Sequence, residues 1–252
     1  MAYRAILFDL FDTLVTFDRT RLPALQINGR MVHSTVGRLH EVLQIHAPQV
    51  TLEALYQAML DSWQEAERRR AIDHREVAAP ERFAYVFRRL ALDPRACPPE
   101  MMQGLLDAHR SELSRAAEFP AHHRPLLTDL GQHHRLAVVS NFDYTPTALG
   151  ILESAGVASL FAAIVVSDAV GWRKPAPAIF RAAFARLGIE PAEALFVGDR
   201  ADIDVAGAQS VGMPVAWINR DREPLPAGVA PPDFEIHDLD ELRRIPGVAQ
   251  CI

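Results

Sequence analysis

Ala5-Ile6-Leu7-Phe8 is an unbroken apolar run that stops at a carboxylate, Asp9. A strand with one wet face alternates polar and apolar residues. A run with no polar face predicts a strand covered on both sides, as in a parallel sheet flanked by helices. The pattern returns at Leu136 to Val139, Ile164 to Val166, Ala194 to Val197, Pro214 to Ile218 and Phe234 to Ile236. Helical patterns lie between these runs. Ile179, Phe180, Ala183, Phe184 and Leu187 follow the 3.6-residue period, and Gly188 stands where such a helix should stop. Strand alternating with helix predicts a doubly wound, Rossmann-like α/β domain built on a parallel sheet.

Residues 17–118 break this rhythm. Val36, Leu39, Val42 and Leu43 form one helical stripe. Leu52, Leu55, Tyr56, Met59, Leu60 and Trp63 form a second, with Thr51 placed to cap it. Phe83, Val86, Phe87 and Leu90 make a third, and Met101, Met102, Leu105, Leu106 and Leu113 a fourth. Four amphipathic helices without a strand signal predict a helical domain, 17–118, inserted into an α/β domain made of 1–16 plus 119–252. A chain of 252 residues can bury two such cores.

The net charge of −6 supplies no basic field to hold nucleic acid. The longest charge-free run, Val205 to Asn219, is 15 residues long and contains Gly and Pro, so no membrane helix is expected. Met-Ala-Tyr-Arg leads straight into the first strand pattern with no leader-like apolar region, and Cys97 and Cys251 form no disulfide framework. The expectation is a cytoplasmic protein.

Four polar clusters fall at the carboxyl ends of predicted strands, where ligands collect in open α/β sheets. Asp9 could attack an electrophile and carry a covalent intermediate; alone it reads equally as a turn or capping residue. Ser140-Asn141 combines a hydroxyl with a backbone N–H, a start for an anion site or simply a loop. Lys174 could neutralise an anion and the nucleophile together, or be a solvated surface charge. Asp199, after Gly198, has Asp202 and Asp204 close behind. Hard oxygen ligands of this kind suit Mg²⁺, although Asp202 reads best as a helix cap.

In their order along the chain these clusters resemble the haloacid dehalogenase superfamily: Asp9 in FDLFDTL, Ser140 in VVSNFD, Lys174 in GWRKPAPAIF, and Asp199 with Asp204 in VGDRADIDVAGA. The resemblance covers the α/β part and implies that the helical insert is a substrate-selecting cap. It implies a Mg²⁺-dependent hydrolase acting on a small phosphorylated metabolite through an aspartyl-phosphate. In that scheme Asp9, Ser140 and Lys174 are catalytic, Ser140, Asn141 and Lys174 bind substrate, and Asp9, the Phe11 carbonyl, Asp199 and Asp204 hold the metal.

Phe11 departs from the pattern. Phosphatases of the superfamily usually have a second Asp there to move a proton, and phenylalanine cannot. Asp12 is not expected to replace it, since one step along an extended chain turns a side chain to the opposite face. The superfamily's dehalogenases also carry an aromatic residue at this position, which leaves 2-haloacid dehalogenation as an alternative, with a catalytically weak binding protein as another. Retention of Gly198-Asp199 and Asp204 favours the metal-dependent reading.

Other residues are given smaller parts. The pairs His122-His123 and His133-His134, and the run Arg68-Arg69-Arg70, read as solvated faces. Arg19 and Arg21 are candidates to meet a substrate anion, and Asp143 and Trp172 to line a pocket.

Overall fold

The first apolar run becomes β1 (Ala5–Phe8), with every side chain buried. The computed structural model describes residues 2–93, 95 and 97–248; Cys251 lies outside them. Two compact units divide the chain: Met1–Thr16 with Phe119–Ile252, and Phe17–Glu118.

The inserted unit runs through β2 (Thr16–Phe17), β3 (Ala24–Ile27), β4 (Arg30–His33), α1 (Val36–Gln44), α2 (Leu52–Asp73), α3 (Ala79–Arg89), α4 (Pro99–Ala116) and β5 (Ala117–Glu118). Each of the four stripes lies on one helix, α3 ending one residue before Leu90. Thr51 caps α2, its side chain accepting from the Ala54 N–H at 3.2 Å.

Three features of this unit differ from the sequence reading. First, β3 and β4 form an antiparallel hairpin, although no strand was expected here. Its turn is Asn28-Gly29, both at positive φ (49° and 77°), the dipeptide that a two-residue hairpin favours. Short, half-exposed strands hid the alternation. Second, α2 buries Leu55, Ala58, Ser62, Ala66 and Arg70, and leaves Leu60 and Trp63 37% and 50% exposed. Small side chains on the buried face turn the larger ones outward. Third, Arg70 is buried against Glu76 at 2.6 Å and the Val77 carbonyl at 3.2 Å, whereas Arg68 and Arg69 pair on the surface.

The α/β unit continues through α5 (His123–Leu130), β6 (Arg135–Ser140), α6 (Thr145–Ser154), β7 (Phe161–Val166), α7 (Ser167–Val170), α8 (Pro177–Leu187), β8 (Ala194–Gly198), α9 (Ala206–Ser210), β9 (Val215–Ile218) and β10 (Phe234–Ile236). The six strands are all parallel in the order β10-β9-β8-β1-β6-β7. The chain builds outward from β1 on one side and then on the other. The ends of β1, β6 and β8 therefore flank the reversal point, where such sheets open a crevice.

One face is sealed by α8, whose Ile179, Phe180, Phe184 and Leu187 join Leu7, Val139, Val165 and Phe196 of the sheet. Pro177 opens that helix and Gly188, at φ 59°, ends it. Two of the histidines expected at the surface are buried instead, their rings meeting backbone carbonyls: His123 Nδ1 lies 2.9 Å from the Leu14 oxygen and His134 Nδ1 2.8 Å from the Tyr3 oxygen.

Close packing between α8 and α9 depends on Gly207. A Cβ there would sit 2.7 Å from the Phe180 ring and 3.1 Å from Pro175 Cα. Overpacking of this kind costs about 1–3 kcal/mol, more than the gain of up to ~1 kcal/mol from alanine's helix propensity. Gly207→Ala is therefore expected to lower the urea midpoint. An unchanged or raised midpoint would show that the Phe180 ring moves aside freely.

Candidate active site

Three strand ends of the α/β unit deliver the chemistry. Asp9 follows β1, and its N–H bonds to the Val197 carbonyl of β8 at 2.9 Å. Ser140 ends β6, fully buried, and its Oγ has no hydrogen-bond partner among the described residues. Asp199 follows β8, and Asp204 lies in a π-helical turn, Ala201–Val205, that leads into α9.

Lys174 is the centre of this group. Its Nζ is 2.6 Å from Asp9 Oδ1 and 2.8 Å from Asp204 Oδ1, and the side chain is 1% exposed. Burial would lower its pKa, but the carboxylates of Asp204 and Asp9 outweigh that and hold it above its ordinary value. Asn141 fixes the backbone at this point: its Oδ1 accepts the Lys174 N–H at 2.7 Å and its Nδ2 donates to the Lys174 carbonyl at 3.0 Å. The Asn141 side chain is thus committed to placing the lysine.

Asp9, Asp199 and Asp204 each offer a carboxylate oxygen, all within 4.8 Å of one another. Burial pushes the Asp9 carboxyl up to about 6, opposed by Lys174 and reinforced by Asp204. Asp199 is pushed up to about 7, first by burial and then by the charges of Asp9 and Asp204. One ammonium among three carboxylates leaves the group short of positive charge, and hard oxygens in that state suit a divalent cation. The two oxygens of Asp204 are both engaged, one beside Lys174 and one accepting the Arg200 N–H at 3.0 Å.

Gly198 makes this arrangement possible. A Cβ there would fall 2.4 Å from Asp204 Oδ2, so the carboxylate occupies the space a side chain would fill. Asp202 does not cap the helix; it pairs at the surface with Arg200 at 2.8 Å.

A known family, the haloacid dehalogenase-like hydrolases, matches residues 3–212. The chain belongs to that family. This hydrolase is 29% identical over 217 residues to a glyceraldehyde 3-phosphate phosphatase of Pyrococcus abyssi, an alignment spanning 85% of this chain and 81% of that one. Its structure resembles that of a phosphatase of the same family from Thermococcus onnurineus (TM-score 0.62, 25% identity, 96% of each chain). It also resembles a 2-haloacid dehalogenase from Pseudomonas syringae (TM-score 0.67, 24% identity, 97% of each chain), a likeness of fold alone.

At position 11, where the sequence departs from the pattern it resembles, the Phe11 ring stacks on Phe142, centroids 5.0 Å apart and planes at 28°. Ser167 anchors Phe142, accepting its N–H at 2.9 Å and donating to its carbonyl at 3.0 Å. Neither Phe142 nor Ser167 was legible as part of the site. Asp12 is exposed, but not for the reason expected: β1 has already ended, and Asp12 sits in a tight turn at φ 55°. Thr13 Oγ1 reaches Asp199 Oδ1 at 3.4 Å. Asp143 is buried in the loop before α6, and Trp172 is half-buried two residues before Lys174. In the inserted unit, Arg21 pairs with Glu118 and Asp18.

The raised carboxyl groups have a consequence for the metal-free protein. Asp9 and Asp199 bind protons in the native state up to pH about 6 and 7, against an unfolded value near 4. Between those limits the native state holds more protons, so this contribution to stability declines as pH rises. In EDTA, Asp199→Asn should be more stable than the wild type at pH 8, with the gap closing toward pH 5. Thermal melts at the two pH values check this, and a gap that widens at pH 5 would contradict it.

Proposed function

We propose that this hydrolase is a Mg²⁺-dependent phosphatase that transfers the phosphoryl group of a small phosphorylated metabolite to Asp9 and then to water. The observation that carries the reading is the carboxylate cluster of Asp9, Asp199 and Asp204 around buried Lys174. Displacement of halide from carbon would need no cation and gives no reason to gather three carboxylates around one lysine.

Asp9, Asp199 and the Phe11 carbonyl would hold the ion, with Asp204 bracing Lys174. When bound, Mg²⁺ supplies Lewis-acid neutralisation of charge on the phosphoryl oxygens. Asp9 attacks phosphorus in line with the leaving oxygen. The new carboxyl–phosphorus bond forms as the old P–O bond breaks, and the leaving group departs with the electron pair. Lys174 steadies the nucleophile and the transferring group. The unpartnered Ser140 hydroxyl, with the Asn141 N–H, meets the phosphoryl oxygens. Water then cleaves the acyl phosphate, regenerating Asp9. The helical insert would act as the substrate-selecting cap.

Phe11 sets the substrate preference. With a phenyl ring where a proton donor would stand, a leaving oxygen must depart without protonation, and a missing general acid costs about 10²–10⁴ in rate. Acyl and aryl phosphates, whose leaving groups are weak bases, should therefore be hydrolysed faster than sugar or other alkyl phosphates. Phosphate release from a panel of both kinds, in Mg²⁺ and in EDTA, tests the reading with Asp9→Asn as the blank. Release should require Mg²⁺ and Asp9, and Phe11→Asp should raise alkyl phosphate turnover by at least tenfold. Halide release from 2-haloacids in EDTA would replace the phosphatase reading. Tight binding of a phosphometabolite without turnover would make the protein a binding module.

A further inference from the structure

Outside the four motifs, the end of β9 and the turn after it reach into the two loops that carry the proposed ion ligands. The Trp217 indole N–H donates to the Asp199 carbonyl at 2.8 Å. Arg220, three residues on, donates from its guanidinium to the Asp12 carbonyl, the peptide next to that of Phe11. We infer that Trp217 and Arg220 are positioning residues that clamp these two loops in the register needed to bind a divalent cation. The inference rests on the divalent-cation reading of the site.

The geometry explains why a clamp is required. Asp199 and Phe11 both lie past the ends of their strands, β8 ending at Gly198 and β1 at Phe8. Neither peptide lies in the six-stranded ladder, and the carboxylates of buried Asp9 and Asp204 and half-buried Asp199 repel one another. Gly198 faces Trp217 across the β8–β9 pair, which places the indole one residue from the carbonyl it holds. Trp217 is 5% exposed, so its ring is fixed by the core while its N–H reaches the loop. Asp12, whose carbonyl Arg220 takes, is at φ 55°, a left-handed conformation that costs a residue with a side chain and persists only when neighbours hold it. The Thr13–Asp199 hydrogen bond joins the same two loops directly. Ligands of a metal are oriented in the same way by the groups behind them, and loss of such a group commonly weakens metal affinity 10–100-fold, about that much being expected here.

The test is calorimetric titration of Mg²⁺ into chelator-stripped protein. Trp217→Phe keeps an aromatic ring in the sheet and removes only the donor. Arg220→Met keeps the length of an exposed side chain and removes its donors. Both variants should raise the Mg²⁺ Kd by about tenfold or more. In phosphate-release assays both should raise the Mg²⁺ concentration for half-maximal rate, with kcat recovered at saturating Mg²⁺. A purely structural role would lower the melting temperature in EDTA and leave the Mg²⁺ Kd unmoved, which would overturn the clamp. Wild-type protein that binds no Mg²⁺ would instead overturn the cation reading, and the clamp with it.

Discussion

A single buried ammonium, Lys174, between the carboxylates of Asp9 and Asp204 is the contact on which the α/β unit's arrangement turns. Burying an unpaired charge costs several kcal/mol, and two good ion partners are what make the burial tolerable. Each neighbour is constrained as a result. Gly198 has no side chain because the Asp204 carboxylate lies where its Cβ would be. The Asn141 amide is spent on the Lys174 backbone. The lysine's Nζ lies over the Phe196 ring, 5.2 Å from its centre, so the ammonium is also bounded by the core. One ammonium cannot balance three carboxylates, and at Asp199 burial first, then the charges of Asp9 and Asp204, raise the pKa.

The residues that meet at this lysine are spread from position 9 to position 204, and the parallel sheet makes the meeting possible. Parallel strands deliver all their carboxyl ends to one edge, and the change of direction at β1 places β6 and β8 on either side of it. A chain can be lengthened after the first strand without changing the strand order, since a longer connection costs little. This is the place where the helical unit is inserted.

The legible part of this protein was the part in which one physical property repeats along the chain. Short apolar runs marked all six core strands, and β1, buried at every position, tolerates no polar side chain; edge strand β10 kept Phe234 and Ile236 around an exposed Glu235. Helical periodicity gave α8 and its stop at Gly188. The ordered motifs gave Asp9, Ser140, Lys174, Asp199 and Asp204, which the fold gathers at one sheet edge. What stayed hidden depends on relations between distant segments. Nothing in Trp217 marks it as a donor to Asp199 until β8 and β9 are in register. His123 and His134 read as wet because their carbonyl partners lie more than a hundred residues away. The Asn28-Gly29 hairpin was the exception, a local signal outweighed by the helices around it.

Phe11 is best understood together with what holds it. Stacking on Phe142 contributes about 0.5–1.5 kcal/mol beyond the area it covers, and Ser167 fixes Phe142 through both its N–H and its carbonyl. The half-buried ring two residues after Asp9 is thus braced from behind. In the proposed reaction a phenyl ring held there gives the leaving oxygen no proton, so the first step is left to Lys174 and to leaving groups that need none. It also deprives the acyl phosphate of a base to activate water. The same residue therefore slows formation of the covalent state from poor leaving groups and slows its breakdown, so the rates of these two steps, more than the affinity for substrate, would separate this chain from one with an aspartate at position 11.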